Sequence, residues 1–206
     1  MLSVVIPTYN DAKNIALAIA SANQIKYVNE IIIVDDCSTD NTELIIKDIR
    51  DNCRKIKYYR NSVNQGSGLT FLNGLDKVKN SYVIMLNSDD FFIPKAIEKL
   101  FEYTIKNDLD LGYGKMSIKK NSGIHKYVHP GYKNKSYVDN RNELQDLLIF
   151  DMYIPSFGAI INYDKIKKFY NKKYYESLNY NFGKSFKAHD YDLFLNLAKK
   201  KKEWVS

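Results

Sequence analysis

Apolar residues in this chain come in short blocks whose period changes along its length. Leu2 to Ile6 is a continuous, mainly β-branched run ending at Pro7, and Glu30 to Val34 is a second, ending at Asp35. Such short apolar runs read as strands covered on both faces, as in a parallel sheet. Between them, Ile15, Ile19 and Ala22 return at helical spacing and predict a crossover helix. Thr42 to Cys53 then places Ile45, Ile49 and Cys53 on one helical face. Lys55 to Tyr59 reads as a third strand, Leu69 to Val78 as a helix and Tyr82 to Leu86 as a fourth strand. This alternation, with a period of about 25 residues, predicts one α/β domain with a Rossmann-like, mainly parallel sheet flanked by helices.

The pattern is less regular afterwards. Pro94 sits at a first-turn position, and Ile97, Leu100, Phe101 and Thr104 follow on one helical face. Leu111 to Ile118 reads as a strand, Asn140 to Phe150 as a short helix and Gly158 to Tyr163 as a strand. A last helix starts near Asp190, turns Leu193, Phe194 and Leu197 inward and runs into Lys199 to Lys202. Residues 119–138 and 170–187, rich in Asn, Lys, Tyr, Gly and Ser, read as mobile loops.

Composition narrows the class. A chain of 206 residues, 45% hydrophobic, has no need of disulfides or structural metal to fold. Its two cysteines, Cys37 and Cys53, favour a reducing cytoplasm. With 9 Gly and 4 Pro it is not collagen-like, and its apolar content excludes disorder. No apolar run approaches the roughly 18 residues that span a bilayer, and MLSVVIPTYN carries no basic leader. The expectation is a protein neither exported by a visible signal nor integral in a membrane. A net charge of +7 favours an anionic partner, with a generic basic surface ranked first. Nucleic acid is disfavoured, because no basic-aromatic binding motif is present.

Chemistry concentrates where three of the four strands end. These ends read Pro7-Thr8-Tyr9-Asn10, Asp35-Asp36-Cys37-Ser38 and Asn87-Ser88-Asp89-Asp90. Open α/β sheets bind ligands beyond the carboxyl ends of their strands. Carboxylates gathered on one edge repel one another unless a cation or a hydrogen-bonding ligand separates them. The competing account is helix capping, for which Asp40 and Asn41 are placed. No G-x-G-x-x-G follows the first strand and no Gly-Lys-Ser/Thr follows any strand, so phosphate is handled without a glycine cradle. A divalent metal on carboxylates is the usual substitute, and Mg²⁺ or Mn²⁺ suits hard oxygen donors.

V-V-I-P-T-Y-N, I-I-V-D-D-C-S-T-D-N-T, N-x-G with N-G-L at 64–75, and M-L-N-S-D-D resemble the successive motifs of the family 2 glycosyltransferases of GT-A fold. The resemblance covers residues 1–110 well and the remainder loosely. It implies a nucleotide-sugar half at 1–110 and an acceptor half at 111–206. The resemblance also implies a nucleotide-diphosphate sugar as donor, with UDP favoured and Mn²⁺ or Mg²⁺ on the diphosphate. It implies that the sugar passes with inversion to a hydroxyl of a glycan or lipid-linked glycan acceptor in cell-surface glycan synthesis.

Carried over by position, Pro7 and Tyr9 line the base and ribose pocket, and Asp36 accepts a hydrogen bond from the base. Thr8, Asn10, Asn64, Gly66 and Ser88 complete the donor-binding set. Asn87-Ser88-Asp89 stands where the family carries D-x-D. Asp89 is then the metal ligand and Asp90 its support or a sugar contact, while Asn87 brings no charge and predicts weaker cation binding. Asp190 matches the catalytic base, with helix capping as its alternative, and His189 replaces the usual Glu. Leu72 stands where an Arg commonly meets the diphosphate, and Lys184 or Lys187 is a candidate replacement. His125 and His129 are lower-ranked extra metal ligands.

Two other functions compete. A sugar nucleotidyltransferase would carry a glycine-rich basic loop after the first strand, which is missing here. A non-catalytic nucleotide-sugar-binding domain is favoured by the departures at Asn87, Leu72 and His189. The chain stops at Lys-Lys-Lys-Glu-Trp-Val-Ser, where family members continue into another strand, so a truncated or minimal domain is expected. Lys165 to Lys173 and Lys199 to Lys202 read first as solvated faces and second as contacts with anionic lipid on the inner face of the plasma membrane.

Overall fold

In the computed structural model, which describes residues 1–112, 114, 117–120, 123–126 and 158–167, the apolar runs become the core strands of one sheet. The elements are β1 (Leu2–Thr8), α1 (Ile15–Asn23), β2 (Val28–Asp35), α2 (Thr42–Asp51), β3 (Ile56–Arg60), α3 (Ser67–Leu75), β4 (Tyr82–Met85) and α4 (Pro94–Lys106). After them come β5 (Leu111–Gly112), β6 (Ser117–Lys120), β7 (Gly123–Lys126), β8 (Ile160–Asn162) and the single turn α5 (Tyr163–Ile166). The main sheet has the order β3-β2-β1-β4-β8-β5, with β8 antiparallel to both its neighbours.

Alternation along the strands divides the interior into two layers. Val4, Ile6, Ile31, Ile33 and Ile84 face a layer with Ile15 and Ile19 of α1, Ile46 of α2 and Phe101 of α4. Val5, Ile32, Val34, Val83 and Met85 face the other, with Phe71, Leu72 and Leu75 of α3 and Tyr163 of α5. Burial on both faces explains why the strands carry unbroken apolar runs. Phe101 anchors α4 with ring contacts to Tyr27 at 5.0 Å and Tyr82 at 5.4 Å. Helix α3 lies so close to β1 that a Cβ at Gly74 would collide with Val5 Cγ1.

Several boundaries differ from the sequence reading. β1 runs through Pro7 to Thr8. Val5 offers its carbonyl to Leu86 on the β4 side and Thr8 offers its own to Asp36 on the β2 side, so Pro7 faces the side where β4 has ended. Its missing N–H therefore costs no ladder bond. The run expected at Leu111 to Ile118 is two strands, and the expected loop after it includes the hairpin β6–β7, with Ser117 opposite Lys126. Hairpin pairing uses backbone groups, which polar side chains do not oppose. Tyr163 leaves β8 and starts α5, because the Asn162 side chain accepts from Lys165 N and caps the turn. The helices expected at 140–150 and near Asp190, and the loop at 170–187, lie outside the described residues.

Candidate functional site

Four parallel strands end on one edge of the sheet, and the strand order reverses between β1 and β4. That reversal marks the ligand crevice of an open α/β sheet. In register, Thr8 lies opposite Asp35 and Val5 opposite Met85. The β1–α1, β2–α2 and β4–α4 connections therefore emerge side by side.

Asp36 is buried and held by three donors. Its Oδ1 accepts Asn61 Nδ2 and Gln65 N, each at 2.8 Å, and its Oδ2 accepts Gly66 N at 2.7 Å. Gly66 has φ 84, a left-handed conformation that suits glycine, and this turn points its N–H at Asp36 as α3 begins. An ionised carboxylate has about four lone-pair sites, so among the described residues one remains on Oδ2.

Asp35 is fully buried and serves the scaffold. It accepts Ser38 N on Oδ1, and Tyr58 Oη and Arg60 on Oδ2, each at 2.9 Å. Arg60 also reaches Glu43 and the Ser38 carbonyl, tying β3 to the start of α2. Burial, reinforced by the bond to Asp35, pushes the Tyr58 phenol well above its ordinary value. The repulsion expected among the edge carboxylates is thus relieved at Asp35 and Asp36 by the protein's own donors, which no cation has to replace.

The β1–α1 turn is fastened to the β2–α2 turn. Asn10, at φ 49, donates its N–H to Ser38 Oγ at 2.9 Å and accepts Thr39 N on Oδ1 at 2.7 Å. Asp40, not Asn41, caps α2, accepting Thr42 N at 3.0 Å. Pro7 is buried within β1. Tyr9 is 49% exposed, so its ring is not packed into the core. Thr8 is 4% exposed, and among the described residues its Oγ1 has no partner. A buried hydroxyl without a partner costs about 1–3 kcal/mol, which a ligand at this edge can recover.

In the β4–α4 turn, Asn87 Nδ2 donates to Asp90 Oδ2 at 3.2 Å. Burial pushes the Asp90 carboxyl above the ordinary carboxylate range; the Asn87 bond opposes this and the Asp89 charge adds to it. Ser88 is half-buried, and Asp89 is exposed with no hydrogen bond or ion pair among the described residues. No group of three or more His, Cys, Asp or Glu that could hold a metal occurs among the described residues. Asn64 is exposed on the approach to α3. Leu72 packs in the α3 core layer, so its position points into the interior and not toward a diphosphate. His125 lies in β7, while His129, Lys184, Lys187, His189 and Asp190 lie outside the described residues.

Sequence reasoning missed Arg60, Asn61, Gln65 and Thr70, and named Asn73 only within the N-G-L motif, with no role. The signal was present at the fourth strand end: β3 also finishes in polar residues, Arg60-Asn61, on the same edge.

Comparison with known proteins fits this geometry. The chain is 31% identical to the poly(ribitol-phosphate) β-N-acetylglucosaminyltransferase TarP of Staphylococcus aureus, over 81% of this chain and 51% of TarP. It is 29% identical to the UDP-Glc:α-D-GlcNAc-diphosphoundecaprenol β-1,3-glucosyltransferase WfgD of Escherichia coli, over 63% of this chain and 51% of WfgD. The chain spans about half the length of each. The crystal structure of S. aureus TarS residues 1–349 superposes with a TM-score of 0.72 at 20% identity, over 95% of this chain and 54% of TarS 1–349, which shows the GT-A fold. The family model described as Glycosyl transferase family 2 matches residues 3–178. That match begins in β1 and runs past α5, taking in every described element, and on it the chain belongs to glycosyl transferase family 2.

Proposed function

We propose that this chain carries the donor site, and in residues 111–206 part of the acceptor site, of an inverting glycosyltransferase that uses a UDP-sugar. The observation behind this reading is one edge, at the strand-order reversal, that presents the remaining Asp36 lone pair, the unpartnered Thr8 hydroxyl and the Asp89 carboxylate. A lone pair on a fixed anion selects an N–H donor, which a uracil-type base supplies. In this reading the exposed Tyr9 ring stacks on the base and Pro7 lines its pocket, while Asn10 and Gly66 fasten the neighbouring turns.

Asp89 and Asp90, with the Asn87 amide, are hard oxygen donors that fit Mg²⁺ or Mn²⁺ if water and diphosphate oxygens fill the remaining positions. When bound, such a cation neutralises charge on the departing diphosphate. Ser88 and Asn64 border the donor. Asp190 takes the proton from the acceptor hydroxyl as that oxygen attacks the anomeric carbon, which inverts the configuration.

The acceptor is read as phosphate-bearing. Residues 111–206 hold 18 of the 31 Lys and Arg but only 9 of the 24 Asp and Glu, so the basic charge is concentrated in the acceptor half. The names of TarP and WfgD each include a phosphate-bearing molecule, a poly(ribitol-phosphate) and a diphosphoundecaprenol. No helix among the described residues is long and apolar enough to cross a membrane. The basic stretches around Lys165 and Lys199 are read first as solvated faces, with Lys165 paired to Asp108 and Asp110, and second as contacts with a lipid-linked acceptor.

The test is UDP release from UDP-glucose and UDP-N-acetylglucosamine with Mn²⁺, with and without a diphosphoundecaprenol-linked sugar or poly(ribitol-phosphate). Acceptor-dependent release is expected, with Asp190→Asn slowing it about 10²–10⁴-fold while UDP binding changes little. Donor binding with no release to any acceptor would favour the non-catalytic domain.

A further inference from the structure

Beyond the direct contacts of the edge, a closed ring of hydrogen bonds stands behind Asp36. Asn61 Nδ2 donates to Asp36 Oδ1 at 2.8 Å and to Thr70 Oγ1 at 3.1 Å. Asn73 Nδ2 donates to Asn61 Oδ1 at 3.1 Å and to Gln65 Oε1 at 3.0 Å. Gln65 closes the ring by donating its backbone N–H to Asp36 Oδ1 at 2.8 Å. The ring joins the end of β2, the end of β3, the loop before α3 and α3 itself.

Its polarity is dictated by charge. An ionised Asp36 only accepts, so the Asn61 amide has to turn its NH₂ toward it. That leaves the Asn61 carbonyl facing Asn73, which must in turn present its own NH₂. Both hydrogens of each amide are spent, and no alternative flip of Asn61 or Asn73 keeps the ring intact. Asp36 Oδ1 is thereby filled, and the remaining lone pair is confined to Oδ2.

We infer that Asn61 and Asn73 are positioning residues for nucleobase recognition, acting through Asp36 and touching no ligand themselves. The inference rests on reading the edge as a uridine nucleotide site. Without Asn61, Oδ1 keeps only the Gln65 N–H and gains an open lone pair, so the base N–H is no longer directed to Oδ2 alone. Asn73 does the same at one remove, by holding the Asn61 amide in its required flip.

The experiment compares binding of UDP and N3-methyl-UDP, with Mn²⁺, to the full chain by titration calorimetry. N3-methylation removes the base N–H and nothing else from the donor set. The wild-type chain is expected to bind UDP at least ten-fold more tightly than N3-methyl-UDP. In Asn61→Ala, UDP binding should weaken roughly ten-fold, as for loss of one hydrogen bond to a charged group, while N3-methyl-UDP binding stays within about two-fold of wild type. Asn73→Ala, which leaves the Asp36 bonds themselves in place, should show the same selective loss at smaller size and covers the case in which Asn61→Ala does not fold. Equal weakening of both ligands in a folded variant means a general structural role and overturns the inference. A wild-type chain that fails to distinguish the two ligands overturns the uridine reading along with it.

Discussion

Arg60 meets the fully buried Asp35 carboxylate at 2.9 Å while remaining 33% exposed itself, so the charge on the β2 end is neutralised from the solvent side of β3. The same guanidinium holds Glu43 at 2.8 Å. Removing the guanidinium leaves the buried Asp35 carboxylate with Ser38 N and Tyr58 Oη as donors but with no opposite charge beside it. Arg60→Met is expected to lower the stability of the fold, measured as a reduced urea midpoint. The double variant Arg60→Met with Asp35→Asn should recover part of that loss. Additive losses would show that the two side chains are not coupled.

Cys37 follows Asp36 in the left-handed region, at φ 66, where an L side chain costs about 1–2 kcal/mol. Glycine removes that strain but adds about 0.5–1 kcal/mol of unfolded-state entropy. The difference favours the folded variant, since the thiol makes only a weak contact to the Ser62 carbonyl at 3.7 Å. Cys37→Gly should therefore raise stability by up to about 1 kcal/mol, seen as a higher melting temperature.

Glu98, on α4, accepts Lys26 N and Lys95 Nζ, each at 2.9 Å. The Lys26 backbone bond, then the Lys95 bond, holds its carboxyl below the ordinary glutamate range. A depressed carboxyl contributes stability that is fully present above its unfolded value and is lost as pH falls through its folded value. Thermal melts of wild type and Glu98→Gln should consequently differ at neutral pH and converge in acid below the ordinary glutamate range. A gap that persists unchanged in acid would remove ionisation from the account.

Asp89 is the exposed carboxylate of the β4–α4 turn. If it holds the cation, adding Mn²⁺ should tighten UDP binding to the wild-type chain by about ten-fold more than to Asp89→Asn, about 1.4 kcal/mol of coupling. Equal responses would shift the cation site elsewhere.

The β-branched runs at Leu2, Glu30 and Tyr82 and the helical spacing of Ile15, Ile19 and Ala22 carried the architecture in plain view, because burial on both faces forces apolar residues at consecutive strand positions. The two shorter strands β5 and β8 and the hairpin β6–β7 were less legible, since their pairing depends on backbone partners far along the chain. The polar edge was readable as a list of residues but not as a division of labour. Asp35 and Asp36 are adjacent and chemically identical in sequence, yet Asp35 faces Tyr58 and Arg60 and locks the scaffold, whereas Asp36 faces Asn61 and the Gln65-Gly66 turn and, among the described residues, keeps one lone pair unfilled. Asn73 stands 12 residues from Asn61 and 8 from Gln65, and only the seating of α3 against β1 brings the three together. Local sequence therefore determined which segments enter the sheet and which residue types reach its edge. Tertiary packing decided which of those groups are spent on one another, because hydrogen-bond partners are set by distance in space and each donor can be used only once.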